Sequence, residues 1–266
     1  MPQPKLAPVS EDGEKLVGAD RVLGVLVELA GHPAGATLDE LARRVGSPKA
    51  TVHRALGALR RAGLAGSDAR GHYILGDEFL RLAFAHHEAR PEHVRVQPLL
   101  QRLAERFGET AHYAVLDGRS VVYRAKVDPA VGAVRLTSTV GGRNPAHSTA
   151  VGKVLLAYRL TTRADVEDWA GPEPLERRTA HTATTARQLF EQLSETRARG
   201  YGVDDQENEE GINCLAIPLF LTSAHQPSGA VSVSALAYRT PLSALTDAVD
   251  EVRRILAETT GHVQTA

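Results

Sequence analysis

The stretch TLDELARRVGSPKATVHRALGALRRA, Thr37–Ala62, decides the fold of the N-terminal part of the chain. Thr37 stands three residues before Glu40, the spacing of a capping box, and opens a short helix whose inner face is Leu38, Leu41, Ala42 and Val45. Gly46 ends that helix. Ser47 is placed to cap the next one, and Pro48 suits its first turn because a missing N–H costs nothing there. That helix runs from about Pro48 to Ala62, with Val52, Ala55, Leu56 and Leu59 inward. Lys49, Thr51, His53, Arg54 and Arg60 remain outside or at the margin. Two short helices around a tight glycine turn, the second with a cationic outer face, form a helix-turn-helix.

Outward from this stretch, Val22, Leu23, Leu26 and Leu29 give a preceding helix. On the other side, Leu64–Gly66 and His72–Leu75 read as a hairpin around Ser67, Asp68 and Gly71. A hairpin after a recognition helix is a wing, with Arg70 at its tip. The physics suits duplex DNA: a helix fills the major groove, and cations and hydroxyls hold phosphates. The candidate DNA contacts are Thr37, Ser47, Pro48, Lys49, Thr51, His53, Arg54, Arg60 and Arg70.

Charge placement agrees. The 266-residue chain has a formal net charge of −1, yet Ala19–Gly76 holds eight Lys/Arg against five Asp/Glu. An acidic cluster, Asp204, Asp205, Glu207, Glu209 and Glu210, lies far downstream. Hydrophobic residues make up 42% of the chain, enough for packed cores. Length favours two domains. No apolar run approaches membrane-spanning length. Residues 1–18 read as a flexible tail without a signal-peptide segment, so a cytoplasmic protein is expected. One cysteine, Cys214, excludes an internal disulfide and a multi-cysteine zinc cluster.

Asp77–Glu88 reads as a linker helix, with Phe79, Leu80, Leu82 and Phe84 too apolar to stand free in water; the same helix of a second copy is the natural cover. A further helix follows from Pro91 and ends at Gly108. Beyond it the pattern is α+β. Thr110–Leu116 and Ser120–Val127 form a hairpin around Asp117-Gly118. Val134–Thr139, Tyr201–Gln206, Cys214–Phe220 and Ala230–Ala237 read as strands. Thr149–Tyr158, Thr184–Arg199 and Leu245–Thr259 read as helices.

Several segments resemble the IclR family of bacterial transcription regulators, and the resemblance runs from about Ala19 to Val263. SPKATVHR at Ser47–Arg54 is similar to its recognition-helix segment. PAHSTAVGKVLLA at Pro145–Ala157, GINCLAIP at Gly211–Pro218 and VSVS at Val231–Ser234 are similar to its later motifs. The resemblance implies a winged helix-turn-helix over residues 19–76, a linker helix over 77–90 and a GAF-like α+β effector-binding domain over 91–266. It implies a homodimer, or a dimer of dimers, on a palindromic operator, and a small, carboxylate-bearing effector acting on a repressor. The pocket positions carried over are Ala133, Ala150, Val151, Asp204, Cys214, Ser232 and Ser234.

The chemistry of those positions is coherent. Ala150 and Val151 open a helix whose free N–H groups favour an anion. Ser232 and Ser234 point to one side of a strand and can hold a carboxylate. Cys214 is a soft wall, and Asp204 accepts from a ligand hydroxyl or carries a proton itself. Ala133, Ala146 and Ala150 are small, which would enlarge the pocket toward an aromatic or sugar-derived acid. His147 is expected to make a structural hydrogen bond. No hydrolase elbow, dinucleotide fingerprint, phosphate loop or zinc-spaced histidine set occurs, so no enzyme, cofactor or metal is expected.

Overall fold

The computed structural model describes residues 18–88, 91–129 and 136–260. The chain divides into two compact units, before and after the Arg90–Pro91 junction. Residues 1–17, the bulk of the expected tail, lie outside the described residues.

The first unit contains α1 (Gly18–Ala30), α2 (Leu38–Val45), α3 (Lys49–Arg61), β1 (Ala65–Ser67), β2 (Tyr73–Leu75) and α4 (Asp77–Glu88). Both partners of the Thr37–Glu40 capping box are made. Val25, Leu29, Leu41, Val52, Leu56 and Leu59 close the core. The phase of α1 differs from the sequence reading. Val25 is fully buried while Leu23 is 57% exposed, because a 3.6-residue turn carries the stripe through 22, 25, 26 and 29. Strands β1 and β2 pair in register Gly66↔Ile74, and Ala36 bridges Tyr73, tying the wing back to the start of α2.

The second unit contains α5 (Pro91–Phe107), β3 (Thr110–Asp117), β4 (Ser120–Val127), β5 (Arg143–Pro145), a 3₁₀ turn (Ala146–Ser148), α6 (Ala150–Arg159), α7 (Arg163–Ala170), α8 (Ala186–Arg199), β6 (Gly202–Asp205), β7 (Ile212–Leu219), β8 (Gly229–Leu236), α9 (Leu242–Asp247) and α10 (Val249–Thr260). Its strands make one antiparallel sheet in the order β5-β4-β3-β8-β7-β6. Alternation divides the side chains between two layers. Tyr113, Leu215, Ile217, Val231 and Val233 pack with α5 and α10. Ala114, Tyr123, Ala216 and Ala230 pack with α6 and α8.

Two expectations change. The strand expected at Val134–Thr139 is absent over its described part, residues 136–139. The carbonyls of Leu136 and Ser138 instead accept from the Lys126 Nζ at 2.9 Å each, so a side chain replaces the ladder. The edge strand is Arg143–Pro145. The last helix is also two, α9 and α10, broken at Ala248.

α6 crosses the 3₁₀ turn closely. A Cβ at Gly152 would stand 2.0 Å from the Ala146 carbonyl oxygen. Gly152→Ala is therefore expected to lower stability by about 1–3 kcal/mol, the scale of overpacking, read as a fall in the urea midpoint. An unchanged midpoint would contradict the closeness of this crossing.

Candidate functional site

In the first unit, burial of Val52, Ala55, Leu56 and Leu59 turns Lys49, His53, Arg54 and Arg60 outward. Thr51 is half-buried beside them. Pro48 occupies the N-cap position without a side-chain cap bond, so Ser47 lies one residue outside the helix. The reason is the end of α2: the amides of Gly46 and Ser47 both turn back to the Ala42 carbonyl. The Ser47 hydroxyl is left without a hydrogen bond among the described residues. Thr37 is committed differently. Its hydroxyl donates to Glu40 Oε2 at 2.8 Å and accepts the Glu40 amide at 3.2 Å, which leaves no proton for a phosphate.

Two cations of this face are held by acids. Lys49 Nζ lies 2.8 Å from Asp39 Oδ2. Arg70 places Nε and Nη2 at 3.1 and 3.0 Å from Asp68 Oδ2. The other Asp68 oxygen accepts the amides of Arg70 and His72, both at 2.9 Å. The His72 amide foremost, with Arg70, keeps the Asp68 carboxyl below its ordinary range. Arg54 and Arg60 make no ion pair among the described residues.

In the second unit, strand register assembles the other candidates. Asp204, Cys214, Ser234 and Thr110 form one cross-strand row over β6, β7, β8 and β3. The next row is Gly202, Ala216, Ser232, His112 and Lys126. Cross-strand partners share a face, here the face toward α6. Asp204, Ser232, Ser234, Ala150 and Val151 are all buried, and Cys214 is half-buried. Cys214 Sγ donates to Ser234 Oγ at 3.1 Å, and Ser234 Oγ lies 3.3 Å from His112 Nδ1. The first turn of α6 covers these rows: a Cβ at Gly202 would meet the Ala150 carbonyl at 2.6 Å. Thr149 caps α6 by accepting the Gly152 amide at 3.1 Å, so the Ala150 and Val151 amides have no partner within the helix. Ala146 and Ala150 are buried in the α6 layer, so their small size serves packing. Ala133 lies outside the described residues.

His112 was not legible as a member of this cluster. Its ring packs tilted against Tyr123, centroids 4.9 Å apart, and its Nε2 lies 2.7 Å from Ser138 Oγ. Burial first, and the Lys126 charge second, hold the ring neutral, with its pKa lowered to about 3. Lys153 and Glu207 were also missed. They form a buried ion pair, with Gln192 Nε2 donating to the second Glu207 oxygen at 3.1 Å. The acidic cluster is thus not uniformly solvated. Glu207 is internal, and its amide donates to Asp204 Oδ1 at 2.7 Å. His147 Nε2 donates to the Glu176 carbonyl, 2.9 Å away, a structural bond as expected.

Burial pushes the Asp204 carboxyl up to about 7, against the pull of Lys153. Between the ordinary 3.8 and about 7, the folded chain keeps a proton that the unfolded chain releases, so this group's contribution to stability falls as pH rises through that window. Asp204→Asn removes the titration. Its stability relative to the parent is expected to grow between about pH 4 and about pH 7 in urea unfolding. A difference that stays constant across the window would refute a carboxyl protonated at neutral pH.

Comparisons with known proteins agree with this architecture. The model of the IclR helix-turn-helix domain matches residues 18–69, and that of the bacterial transcriptional regulator IclR C-terminal domain matches residues 93–260. The chain is similar to the HTH-type transcriptional regulator BhcR of Paracoccus denitrificans, 34% identical over 93% of this chain and 88% of the relative. It is also similar to the transcriptional repressor IclR of Escherichia coli K12, 30% identical over 91% and 85%. A solved IclR homologue from Microbacterium hydrocarbonoxydans, complexed with 4-hydroxybenzoate, superposes with a TM-score of 0.72 at 23% identity, over 92% of this chain and 96% of that one. With a winged helix-turn-helix ahead of a GAF-like α+β domain and both family models matched in order, the chain belongs to the IclR family of bacterial transcriptional regulators and is not an enzyme.

Proposed function

We propose that the chain is a homodimeric, effector-controlled repressor acting on a palindromic operator in the cytoplasm. Residues 19–76 read DNA, residues 77–90 link and dimerise, and residues 91–266 bind the effector. The effector is a small carboxylate. The observation that carries this reading is the gathering of Ser232, Ser234 and His112 on the face covered by the first turn of α6, whose Ala150 and Val151 amides have no partner within the helix. These are hydrogen-bonding groups gathered on one buried face without a catalytic constellation. A same-fold homologue complexed with 4-hydroxybenzoate is consistent with that chemistry.

The linker supports a dimer. Leu80, Leu82 and Phe84 on α4 are 46%, 49% and 60% exposed in the single chain. Paired with a second copy by a two-fold axis, they would be covered, and two winged units would meet two half-sites. Effector binding controls operator binding if its affinity differs between two arrangements of the dimer. Repression is favoured by the repressors among the relatives.

A thermal-shift screen of keto, hydroxy and aromatic acids tests the effector reading, because a bound ligand raises the midpoint by mass action. The double variant Ser232→Ala, Ser234→Ala is expected to lose the shift while retaining duplex binding. A full ligand response in that variant would sink the pocket assignment. Separately, Leu80→Ser with Phe84→Ser is expected to convert the dimer to a monomer in sedimentation and to weaken binding to a palindrome. Unchanged sedimentation would exclude α4 from the interface.

A further inference from the structure

We propose that Asp39 and Asp68 are affinity-limiting clamps on the DNA-reading face. Each carboxylate occupies a cation, Lys49 or Arg70, that would otherwise neutralise a phosphate. This rests on the reading of that face as the one that meets DNA.

The first clamp spans the helix-turn-helix. Asp39 is on the first turn of α2 and Lys49 is the first residue of α3, so only the turn geometry brings them within 2.8 Å. Both side chains are more than 60% exposed, so no packing demands the pair. Among the described residues the Asp39 carboxylate touches nothing else. An exposed ion pair stabilises a fold little. Its larger effect is on a third charge arriving from outside, because a phosphate must take Lys49 from Asp39 or accept a carboxylate nearby.

The second clamp is stiffer. Asp68 is 21% exposed, and its Oδ1 is fixed by two backbone amides of the wing turn. It cannot swing aside, so Arg70 must leave it to reach DNA. Arg54 and Arg60 of α3, by contrast, have no acidic partner among the described residues. The sequence-independent part of duplex binding comes from phosphate neutralisation. Two clamped cations lower that part and leave Arg54 and Arg60 free to act.

The test uses the full chain and a fluorescein-labelled duplex of mixed sequence, read by anisotropy over a salt series. Asp39→Asn is expected to raise affinity about two- to fivefold, the range of an exposed ion pair, and to steepen the log–log salt slope by up to about 0.9, the value for one added phosphate contact. Asp68→Asn should act in the same direction, its amide oxygen still accepting the turn amides. Because that variant can disturb the wing, Asp39→Asn decides the matter. In a Lys49→Ala background the gain from Asp39→Asn should at least halve. An unchanged affinity and slope for Asp39→Asn, or an undiminished gain without Lys49, would overturn the clamp. If Lys49→Ala and Arg70→Ala both leave duplex binding untouched, it is the reading of the face that fails, and the clamp with it.

Discussion

Strands β3 and β8 come from opposite ends of the second unit's sequence and pair antiparallel along Thr110–Ala114 and Ala230–Ser234. The rest of that unit depends on this pairing. It makes the two hairpin systems, β3–β4 and β7–β8, into one sheet and gives α5 and α10 a common floor. It also sets His112 directly opposite Ser232. A slip of one residue would turn His112 toward the α5 layer and bring Tyr113 to the other side. Loop closure of that length is entropically costly, and the buried alternation on both faces offsets it.

How much of this was legible follows from the range of the interactions concerned. The Thr37–Glu40 capping box, the glycine stop after α2 and the hairpin at Asp117-Gly118 are local, and each was readable from neighbouring residues. The parity of Ser232 and Ser234 was also readable, since two residues apart on a strand share a face. His112 was not, because nothing near it in sequence shows which strand lies beside β3. Lys153 was hidden in an apolar helix and Glu207 in an acidic run, and only their meeting explains either. Ser47 misled because its type suits a cap. The preceding helix had already claimed its backbone amide.

The cluster of Ser232, Ser234 and His112 is held from behind by polar groups that are themselves internal. Lys153 joins α6 to the β6–β7 turn through Glu207, whose carbonyl also accepts the Thr182 hydroxyl at 2.6 Å. Removing either partner of such a pair leaves a buried charge uncompensated, which costs far more than the intact pair contributes. The end of β6 carrying Asp204 is therefore fixed relative to the N-terminus of α6, and the two flanks of the cluster keep their spacing. In the helix-turn-helix unit the Lys49–Asp39 pair is in water, where such pairing is weak and exchangeable. The same interaction type thus gives rigidity in one unit and adjustability in the other.

Cys214 has a practical consequence for spectroscopy. Its thiol donates to Ser234 and is half-buried, and burial pushes its ionisation well above the usual thiol range. A thiol that stays protonated is a poor nucleophile toward maleimides and iodoacetamides. It is also the chain's single cysteine. Cys214 is thus expected to react slowly with thiol-directed dyes and spin labels. One cysteine introduced on an exposed wing or linker position would carry most of the signal, and its surroundings could be followed without first removing a native residue.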